Sequence, residues 1–278
     1  METYGDSLTA GFLADTSLKE PPELSKLSEL LQELAFGFLQ KDRELLKKHE
    51  ANDKAWPHFL SEDLRSRGKQ ISEVLNLAVS GSRSGGILSQ VQMSGANSNR
   101  TWAFVFVGHN DLCHVKGEQA ELVQQFNNHV SEALVEWDKN HKNSMMFLIP
   151  TGPIYQLYPV LENYPWMQTA QKTFRCQDAW TKYLPYCVAF YQRYKRGELE
   201  SYLKPRGDSL NVALSELANR WNIKSGNRNR YFYLDAQWPL PLHPDYFALD
   251  CYHIAEEGQR IFARNIFDAI VDHLPQEF

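Results

Sequence analysis

Short, unbroken apolar runs separated by long amphipathic stretches constrain this chain more than any other feature. Residues 74–79, 102–107, 145–149 and 231–234 are nearly continuous in apolar character and rich in β-branched or aromatic side chains. Continuous rather than alternating apolarity is what a strand buried on both faces requires, and such strands belong to parallel sheets covered by helices. Between the runs lie segments of helical period at 23–49 (with a break available at Gly37), 56–67, 118–140, 168–195, 208–221 and 256–273. This order predicts an α/β chain, a three-layer α/β/α sandwich around a parallel sheet. At 278 residues the chain is long enough to bury one such core. No repeat, low-complexity tract or linker divides it, so residues 1–278 are expected to form a single domain. The Pro-rich stretches 150–165 and 239–244 read as loops at strand ends. Residues 17–54 form a charged amphipathic insert ahead of the second run. The expectation is a solvated helical insert, with a lid or lipid-facing element as the alternative.

Composition excludes more than it selects. With 43% hydrophobic and 23% charged residues the chain is an ordinary globular one. A net charge of -5 gives no support to nucleic-acid binding and disfavours attraction to anionic lipid surfaces. No apolar run is long enough to span a bilayer, so contact with a lipid surface would be transient. Cys113, Cys176, Cys187 and Cys251 allow three full pairings. Cys176 and Cys187 could close a short loop, and Cys113 and Cys251, each beside a motif described next, could be neighbours. Four free buried thiols are an equal expectation. None has metal-ligand spacing.

Three separated motifs carry chemistry. Gly5-Asp6-Ser7-Leu8 places a serine ahead of a segment able to start a helix, where a hydroxyl and a backbone N–H are both presented. A simple Asp/Ser helix cap explains the same tetrapeptide. Gly108-His109-Asn110-Asp111 follows the strongest strand candidate, at the edge where parallel sheets bind ligands, and Asn110 can donate to developing negative charge. Asp250 and His253 stand three residues apart, so one turn can let the carboxylate orient an imidazole that takes a serine proton. Gly81, in the turn after 74–79, allows close approach of a backbone N–H to a ligand. Its surroundings are not a nucleophile elbow, since the centre of Gly81–Gly85 is Arg83. A hydroxyl nucleophile, an amide donor and an Asp/His pair are the parts of a serine esterase.

In these blocks and their order the chain resembles the SGNH, or GDSL, hydrolases over essentially its whole length. Finer detail at 76–84, 108–113, 211–214 and 250–253 is similar to the phospholipase B-like branch, although His109 stands where that branch usually has glycine. The resemblance implies Ser7 as nucleophile, His253 as general base and then acid, and Asp250 as the orienting carboxylate. It implies an oxyanion hole from the N–H groups of Ser7 and Gly81 and the side chain of Asn110. Neither a metal nor an organic cofactor is implied. The implied activity is hydrolysis of acyl esters of lipids, of phospholipase, lysophospholipase or lipase type. A carbohydrate O-acetylesterase, or a silent lipid- or glycan-binding protein on the same scaffold, are the alternatives.

Candidates for substrate contact are Asp6, His109, Tyr155 and Trp166. The last two belong to an apolar stretch after 145–149, running from Ile154 to Trp166, that could form an acyl groove. Four residues before the motif are few for a first strand. The expectation is therefore that an upstream leader has been removed, with a lean towards a secreted or periplasmic protein. A second Gly-Asp-Ser-Leu at 207–210 follows Lys204-Pro205-Arg206 and precedes leucines at helical spacing, so it is expected to be inert, with Asp208 or Ser209 as an N-cap.

Overall fold

The computed structural model describes residues 1–16, 18, 30, 33, 50–95, 100–113, 117–168, 173–183, 187–226, 228–236, 238 and 243–278. Most of the 17–54 insert therefore lies outside the described residues. Five strands, β1 (Glu2–Gly5), β2 (Leu75–Asn76), β3 (Trp102–Phe106), β4 (Met145–Ile149) and the seventh strand β7 (Arg230–Tyr233), form one parallel sheet in the order β2-β1-β3-β4-β7. Two further strands, β5 (Pro165–Gln168) and β6 (Thr173–Arg175), pair antiparallel outside it. The helices used below are α1 (Ser7–Ala10), α2 (Trp56–Ser66), α3 (Ile87–Ser94), α4 (His109–Cys113), α5 (Gln119–Asn140), α6 (Val188–Lys195), α7 (Lys204–Lys224) and α8 (Glu256–His273). α2 packs on α8, while α5 packs against both α3 and α7, giving helices on both faces of the sheet.

Burial on both faces is complete in β3 and β4, as continuous apolarity requires. Trp56 of α2 anchors one helical layer. Its ring lies 6.0 Å from Phe104, 6.5 Å from Phe106 and 6.0 Å from Phe262 of α8, all edge-on. Truncating such a side chain costs about 3–5 kcal/mol. Among the described residues no helix is long and apolar enough to cross a membrane.

Five expectations need correction. The residues ahead of Ser7 are enough for a strand: β1 is wholly buried and pairs with β2 on one side and β3 on the other. It was hidden because its first two residues are polar. Glu2 is buried but accepts from the Tyr4 hydroxyl and lies 3.3 Å from His141 Nε2. Burial alone would raise the Glu2 carboxyl, yet these partners hold it below its ordinary value. Residues 74–79 are a half-buried edge, of which only Leu75–Asn76 is a strand. The backbone still runs beside β1, with Leu77 N–H on Thr3 O and Val79 N–H on Gly5 O.

Residues 168–195 are not one helix. They hold the end of β5, all of β6, a short helical stretch at Cys176–Asp178 that continues through Ala179–Tyr183, and α6. Disulfides decide this: Cys113 pairs with Cys187 and Cys176 with Cys251, so neither suggested partnership nor the free thiols hold. Two crosslinks to distant segments pull this stretch across the domain, and Cys187 enters α6 at φ 51°. Finally, the helix expected at 208–221 begins at Lys204, so Asp208 and Ser209 lie inside it and cap nothing. Pro205 is tolerated in the first turn because an N–H there would have no acceptor within the helix.

Candidate active site

β1 leads to one side of the sheet and β3 lies on the other, so the crevice where ligands bind α/β sheets opens at their carboxyl ends. Gly5 ends β1 opposite Phe106. A Cβ there would fall 2.3 Å from the Phe106 carbonyl oxygen, so only glycine lets the strands approach. The Gln90 side chain clamps both backbone groups of Gly5, at 2.8 Å each. Asp6 caps α1: Oδ1 accepts from Leu8 N–H at 3.1 Å, and its carbonyl takes the N–H groups of Thr9 and Ala10. The Ser7 N–H lies at the open end of the helix, with no acceptor among the described residues. Gly11 at φ 73° turns the chain away.

The turn before α8 meets Ser7 from above. His253 Nε2 lies 2.7 Å from Ser7 Oγ, and His253 Nδ1 lies 2.5 Å from Asp250 Oδ2. The other carboxylate oxygen, Oδ1, accepts the N–H groups of Tyr252 at 3.0 Å and His253 at 2.9 Å. Asp250 is fully buried, which by itself would raise its carboxyl. The interaction with His253 and these hydrogen bonds outweigh that and hold it below the ordinary value. An ionised carboxylate there makes Nδ1 the protonated ring nitrogen and leaves Nε2 to accept from Ser7. The rings of Phe12 and Tyr252 flank the imidazole edge-on at 5.0 and 5.3 Å. Asp250 is pinned on both sides, since Trp166 Nε1 donates to the Leu249 carbonyl and Cys251 is bonded to Cys176. Cys251 holds φ 59°, a strained value for a side-chain-bearing residue. That bend is what brings two consecutive N–H groups onto one oxygen.

Gly81 sits at φ 77° on the exposed turn after β2, and its N–H has no partner among the described residues. Asn110, in the first turn of α4, donates from Nδ2 to Ser82 O at 2.9 Å, so its amide is held against the Gly81 loop. The elements therefore bring Ser7, Gly81, Asn110, Asp250 and His253 to one end of the sheet. Chemically, this arrangement can remove the Ser7 proton and receive negative charge on N–H donors.

Of the four candidates for substrate contact, three point inward. Asp6 Oδ2 lies 3.2 Å from His109 Nδ1, and His109 Nε2 accepts from Gly152 N–H at 2.9 Å. The Gly152 bond fixes Nε2 as the acceptor and Nδ1 as the donor, so both ring nitrogens and the Asp6 carboxylate are engaged. His109 is a buried wedge between the β1 and β4 loops, which explains a large ring where glycine was expected. Trp166 is buried against Leu249. The acyl groove is likewise corrected, because Ile154, Leu157, Tyr158 and Leu161 are core residues. The short helix Leu157–Leu161 turns Leu157, Tyr158 and Leu161 inward.

Tyr155 instead borders a cavity of about 230 Å³ at the carboxyl ends of β4 and β7, with Asp208, Tyr233, Asp235 and Trp238. Burial, then Asp208 and Glu200, pushes the Tyr155 phenol up to about 12; burial and Asp235 do the same to Tyr233. Neither Ser7 nor His253 lines this cavity. His109 and Asp6 stand between it and Ser7, linking Gly152 to the nucleophile turn. Sequence reasoning gave no role to Gln90, or to Ser84 and its partner Asp111. Nothing in either residue type marks a role, and only the folded chain pairs them.

A family model described as GDSL-like Lipase/Acylhydrolase matches residues 2–266. The search of curated proteins gives no match. Among solved structures, phospholipase A1 from Streptomyces albidoflavus NA297 is 14% identical, covering 96% of this chain and 97% of that one, with a TM-score of 0.49. The extracellular lipase of Streptomyces rimosus is 13% identical over 96% and 98%, at 0.46. A carbohydrate esterase described as having divergent catalytic and non-catalytic binding functions is 10% identical over 99% and 67%, at 0.50.

Proposed function

As a member of the GDSL-like lipase/acylhydrolase family the chain is a carboxylic ester hydrolase, and we propose that it works through an acyl-enzyme formed on Ser7. The observation that carries this reading is the unbroken hydrogen-bonded chain from Ser7 Oγ through His253 to Asp250. Ser7 attacks the ester carbonyl as Nε2 takes its proton. Asp250 orients the ring and stabilises the imidazolium. The N–H groups of Ser7 and Gly81 and the Asn110 amide receive the oxyanion. His253 returns the proton to the leaving alcohol, then activates water to release the acid. All 278 residues are read as one hydrolase domain, supported by a single buried cluster from Tyr4 to Leu274.

The substrate is read first as an acyl ester of a lipid, the phospholipase B-like detail being its support. One observation favours sugar O-acetyl esters instead. The cavity beside the site presents Asp208, Asp235, Tyr155, Tyr233 and Trp238, carboxylates and flat rings of the kind that bind sugar hydroxyls and faces, and among the described residues no cation lines it. The two disulfides favour an oxidising compartment.

The test is kcat/KM across p-nitrophenyl esters from acetate to laurate, with one phospholipid, one lysophospholipid and one acetylated oligosaccharide. A rise with chain length supports the lipid reading, and a steady fall beyond acetate with turnover of the acetylated sugar supports the other. Failure of a fluorophosphonate to label Ser7 would reject both and leave a binding protein.

A further inference from the structure

The two loops that bring Gly81 and Asn110 together belong to different strand–helix units, and one buried residue joins them. Ser84 donates its N–H to Asp111 Oδ2 at 2.9 Å and its hydroxyl to Asp111 Oδ1 at 2.6 Å. Both side chains are buried. With its proton committed to the carboxylate, Ser84 Oγ is left to accept from His129 Nδ1 of α5 at 3.0 Å. The His129 ring also lies 3.4 Å from where a Cβ on Gly85 would be, closing the back of the loop. One residue away, Asn110 donates to Ser82 O. Residues 82–84 and 110–111 are thus fastened by three hydrogen bonds, two of them to one carboxylate.

A carboxylate that takes both the N–H and the O–H of a single serine fixes that residue's backbone and its rotamer together. Hydrogen bonds to a charged acceptor are the strong ones. Asp111 lies in the first turn of α4, where a carboxylate ordinarily serves its own helix. Here both oxygens face Ser84 instead. Burial raises the Asp111 carboxyl, against the bonds from Ser84. Burying a carboxylate is costly unless it is hydrogen-bonded, and Ser84 supplies a bond to each oxygen.

We propose that Asp111 is a positioning residue for the oxyanion hole, acting through Ser84 to hold the Gly81 N–H in register with the Asn110 amide. This rests on the reading of Ser7, Gly81 and Asn110 given above. Misplacing a reacting group by an ångström can cost on the order of 10²-fold in rate, so the effect belongs in kcat.

The test is a double-mutant cycle of Asp111→Asn and Asn110→Ala, followed by kcat and KM on a p-nitrophenyl ester, fluorophosphonate labelling rate and thermal midpoint. Asn110→Ala alone should lower kcat by about 10²–10³-fold. Less than tenfold overturns the oxyanion reading itself. Given that loss, Asp111→Asn should lower kcat by about 10–10²-fold with KM within about twofold, and cost less than about threefold more when Asn110 is already alanine. A full multiplicative loss in the double variant, or a kcat for Asp111→Asn within about twofold of the parent, overturns the proposal and leaves the oxyanion reading standing. If Asp111→Asn does not fold, Ser84→Ala replaces it in the same cycle. Its kcat loss should be recovered by Ser84→Thr, and no loss or no recovery overturns the proposal.

Discussion

The chain contains the same four residues twice, and the two copies have different fates. Gly5–Leu8 joins a central strand to a one-turn helix; Gly207–Leu210 lies wholly within α7. In both, leucine is core and glycine permits close packing. The polar residues differ. Asp6 is fully buried on Leu8 N–H and His109, whereas Asp208 is exposed at a cavity rim. Ser7 bonds His253, whereas Ser209 donates to Pro205 O at 2.6 Å and accepts from Gln119. A serine inside a helix can satisfy its hydroxyl on the carbonyl four residues back. One at a strand-to-helix turn cannot, and is presented to whatever the next segment brings. The tetrapeptide encodes packing, and the chain brought against it by the fold encodes chemistry.

Substitutions at matching positions sharpen this contrast. Ser7→Ala should lower ester turnover by about 10⁴-fold or more with an unchanged melting temperature, since it removes the hydroxyl that is bonded to His253 Nε2. Steady-state kinetics with purified, folded protein checks this, and activity above a few per cent would break the comparison outright. Asp250→Asn should cost on the order of 10⁴-fold in kcat, by favouring the wrong imidazole tautomer.

Gly5→Ala should destabilise by about 3 kcal/mol, because the new Cβ collides with backbone. Gly207→Ala should stay within about 1 kcal/mol, the helical gain offsetting a Tyr155 ring only 3.3 Å away. Urea denaturation of the pair reads the difference, and equal costs would mean that the two glycines serve alike.

The depressed Asp250 carboxyl predicts a pH effect of definite sign. Its contribution to stability is present above the unfolded carboxyl value of about 3.9 and is lost as pH falls through its lower folded value. Acid denaturation of the parent should therefore steepen below about pH 4, and Asp250→Asn should be less steep there. The smallest effect belongs to Ser209→Ala, with turnover unchanged and a stability loss of at most about 1 kcal/mol.

Legibility followed the apolar signal. β3 and β4 were plain because every residue faces core. β1 was not, because its polar first residues are buried in pairs that only tertiary contact supplies. Residues 168–195 have helical spacing, but crosslinks and the Trp166–Leu249 bond override it. The separate blocks carrying Ser7, Gly81, Asn110, Asp250 and His253 could be read by resemblance, and the fold brings them to one edge. The inward turn of Asp6, His109 and Trp166 could not be read, since no spacing shows which of two polar residues will find the other.

The disulfides bear on how the chain reaches this state. Along the sequence the bonds 113–187 and 176–251 interlace, the second starting inside the loop of the first and ending beyond it, and they span 74 and 75 residues. The pairing that would form most readily at random is Cys176 with Cys187, whose closure is favoured by about 2 kcal/mol over a loop of that greater span. The kinetically easy crosslink is therefore a wrong one, and it consumes one cysteine from each native pair. Reoxidation of the unfolded chain would stall on it until thiolate exchange released both sulfurs, whereas a chain that first assembles its sheet has the native partners already in reach.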